Sequence, residues 1–137
     1  MADLTITAAS VVAYAGATIE HGTLGATVTA GQTVYLDAAD SKYKLADANS
    51  ATAAVRATKG LALNGGVDGQ PVAVLIDGDV NPGATVTVGG VYVQSATAGG
   101  IAPVADLASG HYTTIIGIGL AANKLRVKLH LSGVAVP

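Results

Sequence analysis

The sequence predicts an all-β protein: a small β-barrel or sandwich built from two similar units of about 57 residues, preceded by an extended N-terminal arm. Three observations predict it. The strand-like stretch Gly31-Gln32-Thr33-Val34-Tyr35-Leu36-Asp37 is echoed by Gly90-Val91-Tyr92-Val93, with Tyr92 standing 57 positions after Tyr35. The echo continues in the same order: Leu45-Ala46-Asp47 answers to Val104-Ala105-Asp106, Gly60 to Leu63 answers to Gly117 to Leu120, and Val74 to Gly78 lines up with Leu129 to Gly133. Finally, β-branched runs alternate with turns rich in Gly, Asp and Asn, and almost no stretch has helical composition. The expected organisation is an arm or edge strands over residues 1–30, then one β domain over 31–137 made of pseudo-repeats 31–80 and 81–137. Each copy is too small to bury a core without its twin.

In the arm, Thr5-Ile6-Thr7 and Ala26-Thr27-Val28-Thr29 read as strands by alternation and β-branching, with Gly16, Gly22 and Gly25 as turn formers. The segment lies outside the duplicated part, so it is either an arm reaching onto a neighbour or an edge hairpin of the same barrel. Val34 to Leu36 and Tyr43 to Ala46 form a hairpin across an Asp- and Ser-rich turn. Ala48 to Ala57 is a short connecting helix that Asn49 or Ser50 could cap. Gly60 to Leu63 and Val72 to Ile76 are apolar strands joined by a Gly-rich link. Asp77 to Gly83 reads as a loop leading to a strand at Thr85 to Val88. A second hairpin pairs Val91 to Gln94 with Ile101 to Val104, and Tyr112 to Leu120 is a long β-branched strand. Leu125 to Leu131 alternates strictly, with Arg126, Lys128 and His130 facing away from Leu125, Val127, Leu129 and Leu131.

Composition narrows function. With 12% charged residues and a net charge of −2, the chain lacks the cationic footprint that phosphate backbones demand, so nucleic acid is not an expected partner. Thr, Gly, Asp and Asn interrupt every apolar stretch, which excludes a membrane-spanning helix of about 20 residues. Met1-Ala2-Asp3-Leu4 lacks the basic leader of a secretory signal. Cys is absent, so neither disulfides nor thiolate metal sites are possible. The apolar half is mostly Ala and Val, with five Tyr and no Phe or Trp, a composition that buries little area per residue and favours association.

Candidate chemistry is sparse. Asp77, Asp79 and Asn81 match the opening of a calcium loop, but Pro82 stands where that loop needs Gly and Val88 where it needs a bidentate Glu, leaving a weak metal candidate beside an ordinary turn. His21, His111 and His130 each stand alone, without partners at zinc-ligand spacing. His111 could join a remote Ser and Asp as a triad, yet no nucleophile elbow is present. Neither a phosphate-binding loop nor a dinucleotide fingerprint occurs among the glycines. No cofactor is expected, and the chain is not read as an enzyme.

The runs Ala30 to Ala48, Gly60 to Leu75, Ser95 to Asp106 and the tail Leu131 to Pro137 together resemble head decoration, or capsid cement, proteins of tailed bacteriophages. The resemblance covers roughly residues 26 to 137. It implies a β-rich virion protein, made in the host cytoplasm, on the outer surface of the head. Its partners would be the major capsid protein and itself, as a homotrimer or a dimer. Such families carry no active-site residues. The expected shell or oligomer contacts are the arm residues Leu4, Ile6, Val11, Val12, Tyr14, Ile19, His21 and Leu24, with the Gly-rich loops. Deleting residues 1–25 is then expected to abolish head binding and leave a folded β domain. The alternative is a head-fibre or tail-associated β module that binds a host receptor or glycan, for which sugars would stack on Tyr14, Tyr35, Tyr43, Tyr92 or Tyr112.

Overall fold

The computed structural model describes residues 3–137, so the first two residues of the expected arm lie outside the described residues. Ten strands form one curled antiparallel sheet. They are β1 (Val11–Ala13), β2 (Thr18–Thr23), β3 (Thr33–Asp37), β4 (Lys42–Leu45), β5 (Gly60–Ala62), β6 (Pro71–Pro82), β7 (Val91–Gln94), β8 (Ile101–Pro103), β9 (Tyr112–Ala121) and β10 (Lys124–Ala135). A single turn of helix, α1, spans Ala53–Arg56. The strand order β4-β3-β5-β6-β10-β9-β7-β8 reads the same from both ends once β3 to β6 are matched with β7 to β10.

The longer strands follow from sequence. Three of the expected strands do not form. Ala26 to Thr29 makes only an isolated bridge, Val28 to Gly66, and Thr85 to Val88 stays irregular between turns at Gly83 and Gly89. Val86 is still buried, but as one anchor whose N–H donates to Ala122 O, not as part of a ladder. Thr5 to Thr7 forms no strand either, and its one ladder-like contact is Thr7 N–H donating to Gly83 O at 2.7 Å. The helix shrinks to Ala53–Arg56 because side chains upstream bind the backbone in turns: Asp47 Oδ1 accepts from Asn49 N–H at 2.8 Å, and Ser50 Oγ accepts from Thr52 N–H at 3.1 Å. Neither Asn49 nor Ser50 caps it.

Asp77 to Pro82 was expected as a loop and is instead the second half of β6. This strand organises the molecule. Its first part pairs with β2 (Thr18 opposite Asp77, Thr23 opposite Pro71) and with β5 (Leu61 opposite Leu75, Ala62 opposite Val74). Its second part pairs with β1 (Val11 opposite Pro82) and with β10 (Leu125 opposite Val80, Lys128 opposite Asp77). The ladder slips beside Ile76, where Leu75 and Asp77 face the consecutive residues Ile19 and Thr18, and Gly78 follows at φ +112°. A bulge of this kind re-aims the strand, and a left-handed backbone is open to Gly alone without strain.

β5 and β6 form a wall between two cores. Ala62, Val72 and Val74 point into the first, with Leu24, Val28, Val34 and Tyr43. Leu61, Leu75 and Val80 point into the second, with Tyr92, Ile101, Ile116, Leu125 and Val127. Gly60 on β5 and Gly117 on β9 make the close approaches this requires: a Cβ at Gly60 would meet Leu75 O, and one at Gly117 would meet Arg126 O. Laying Ala62 on Gly119 by ladder position matches Val74 with Leu125, both fully buried. The sequence-based match of Val74 with Leu129 is therefore displaced, because β10 runs on beyond the core.

Candidate functional site

The expected contact residues of the arm divide sharply. Leu24 is wholly buried in the first core, and Val11 is buried in the second. Leu4 and Ile6 pack against the second core, and Leu4 N–H donates to Ile101 O at 2.8 Å. Tyr14 is half-buried, its hydroxyl donating to Asn123 O at 3.1 Å and its ring lying 4.7 Å from Lys124 Nζ. Only Val12, Ile19 and His21 remain exposed. The arm reading is thus corrected: β1 and β2 run end to end along one edge of β6, and Leu4, Ile6, Val11 and Leu24 are covered by the same chain. The alternative of edge strands within the barrel describes residues 11–23.

The weak metal candidate fares no better, for Asp77, Asp79 and Asn81 lie along an extended strand instead of wrapping a centre. Asp79 is held by Arg126, with Nε at 2.9 Å and Nη2 at 3.3 Å. That guanidinium keeps the Asp79 carboxyl below its usual range. Asn81 Oδ1 accepts from Gly83 N–H at 3.0 Å. No group of three or more His, Cys, Asp or Glu side chains suited to a metal converges among the described residues.

A polar cleft of about 440 Å³ brings together Asp3, Ser95, Asp106 and His111, residues that the sequence does not connect. The Ser95 hydroxyl donates to Asp3 Oδ1 at 2.7 Å and accepts from Thr97 N–H at 3.0 Å. His111 Nδ1 accepts from Ala108 N–H at 3.3 Å, within its own turn. A neutral ring that accepts at Nδ1 carries its hydrogen on Nε2, and so presents a donor where a general base would need a lone pair. The arrangement therefore fastens the N-terminal segment to the β7–β8 turn. Behind it, fully buried Gln94 ties the halves together: Nε2 donates to Ala46 O at 3.0 Å and Gly100 O at 3.1 Å, and Oε1 accepts from the Thr58 hydroxyl at 3.1 Å.

Of the five tyrosines, Tyr35, Tyr43 and Tyr92 are buried and offer no sugar platform. Tyr112 is covered by Arg56, whose guanidinium carbon sits 3.6 Å from the ring centre. The remaining surface carries exposed apolar residues on loops and strand ends, Val12, Val67, Val88 and Val134 each above half exposed. No described helix is long and apolar enough to cross a membrane. No protein-family model matches the chain, and no curated protein shows significant similarity to it.

Proposed function

We propose that this chain is a structural protein that decorates the outer surface of a tailed-phage head and holds neighbouring major capsid subunits together. The observation that carries the reading is the way polar side chains are spent. Ser95 serves Asp3, His111 serves its own turn, Arg126 serves Asp79 and Gln94 serves four groups inside the fold, while large apolar residues stand exposed outside it. Such a molecule gains free energy by covering surface, and binding only a correctly spaced lattice would stabilise that lattice. A symmetric oligomer, trimer or dimer, would make equivalent contacts with each neighbour at once and multiply a modest term. With Leu4, Val11 and Leu24 committed to the fold, Val12, Ile19 and His21 are the arm residues left to touch a shell. Heads assembled with and without the protein should differ on heating, the undecorated ones releasing DNA at lower temperature. Release at the same temperature would end the proposal.

A further inference from the structure

The far end of β10 is built differently from the rest of the sheet. Its ladder with β6 ends at Lys128 opposite Asp77, because β5 occupies the same edge of β6 from Leu75 onward. From Leu129 to Ala135 the strand is paired with β9 alone among the described residues, at Ile115, Thr114 and Tyr112. His130 through Val134 are all exposed. A strand edge with open N–H and C=O groups is a template for another strand, and side-chain hollows on its two faces add specificity.

Both hollows are present. On one face, a groove of about 360 Å³ is lined by Ile115, Ile118 and Leu120, with Lys128 and His130 at the β10 side. On the other, a hollow of about 200 Å³ lies between α1 and the sheet, lined by Ala53, Ala57, Tyr112 and Leu131. Neither is lined by Asp or Glu. Arg126 is spent on Asp79 and Arg56 on Tyr112 and Ser50 O, but the side chains of Lys128 and His130 have no ion pair or hydrogen bond among the described residues. Ser132 Oγ takes Val134 N–H at 3.1 Å, and a bulge with Gly133 at φ +68° bends the strand, devices that keep a bare edge from pairing indiscriminately.

We propose that the edge of β10 from Leu129 to Ala135 accepts an extended segment of a partner protein in which apolar and acidic side chains alternate. The apolar side chains enter the hollow beside Tyr112 and Leu131, and the carboxylates face Lys128 and His130. The inference concerns this edge alone and stands whether or not the shell reading does.

The test uses the full chain and a short capped peptide of alternating Glu and Val, followed by amide hydrogen exchange and NMR titration. Binding should slow exchange within Leu129 to Ala135. Replacing Glu by Lys in the peptide should weaken binding by roughly tenfold, and the exposed variant Lys128→Glu should reverse that preference. Methylating one alternate set of peptide amides should cost roughly tenfold, and the other set little, since only one faces the edge. Failure of the peptide to saturate, indifference to both methylated sets, or equal binding of the Lys peptide overturns the proposal. A free protein that sediments as a dimer with these amides already protected also overturns it, because a second copy then owns the edge.

Discussion

In the first half of the molecule, β6 has β5 along one edge at Val74 and Leu75 and β2 along the other from Pro71 to Asp77, and the end of β2 reaches β4 through the parallel bridge Leu24 to Tyr43. With β4 on β3 and β3 on β5, the circuit of ladders closes around the first core. In the second half, β10 from Leu129 to Ala135 has β9 along one edge and no described strand along the other. The same pairing order thus gives a sealed unit in one copy and an open one in the other. The difference is one of reach: the N-terminal segment lines β6 from Pro71 to Pro82, whereas beside β10 the second part of β6 extends only as far as Lys128. An element outside a duplicated pattern can decide which copy keeps an available edge.

Removing residues 1–25 would break this contrast most severely. It deletes β1, β2 and Leu24, stripping one whole edge of β6, so the first half should lose its dispersed NMR amide signals and its cooperative unfolding. This replaces the expectation that a folded domain survives the deletion. Next in size, Leu24→Ala should lower stability by about 3 kcal/mol, since the cavity opens at the joint of the closed half. Leu131→Ala, at the open end, should cost less than about 0.5 kcal/mol, and urea midpoints compare the two. Gly60→Ala and Gly117→Ala sharpen the equivalence of the halves: each drives a methyl into a carbonyl of the following long strand, and each should cost about 1–3 kcal/mol. One silent variant would show that the two walls are not alike. The smallest effect belongs to Asp79→Asn, worth under about 1 kcal/mol because Arg126 is well exposed. The folded Asp79 carboxyl titrates below its unfolded value, so its contribution is complete above the unfolded pKa and disappears as pH falls through the folded one. The variant should therefore flatten the acid limb of the stability curve, which urea titrations across that range would register.

Strand identity was readable through most of residues 31–137 but not in the N-terminal segment, where β1 and β2 form in place of the expected strands at Thr5 to Thr7 and Ala26 to Thr29. The alternation of Leu125 and Val127, the β-branched run before Leu120 and the two hairpins at Tyr35 and Tyr92 all mark strands that form. Reading failed where a strand serves two cores. Val74 and Leu75 are neighbours buried on opposite faces, so β6 lacks a clean period of two, and Asp77 to Asn81 resembled a loop because its acidic residues sit on the outward side. The arm was misjudged because alternation reports that a face is covered, not which chain covers it. Likewise, the regular pattern through Leu131 could not reveal that the core stops near Leu129, where the strand outruns its neighbour β6. The cleft at Ser95 was invisible because Asp3, Ser95 and His111 are brought together only by the fold.

The shared strand also has a mechanical consequence. A load that pulls the two halves apart runs lengthwise along β6 and must slide it out of one half, past β2 and β5 together or past β1 and β10 together. Hydrogen bonds strained in parallel yield together, whereas a hinge between separate lobes would peel open one bond at a time. A staple for a pressurised container would need that kind of resistance to tearing.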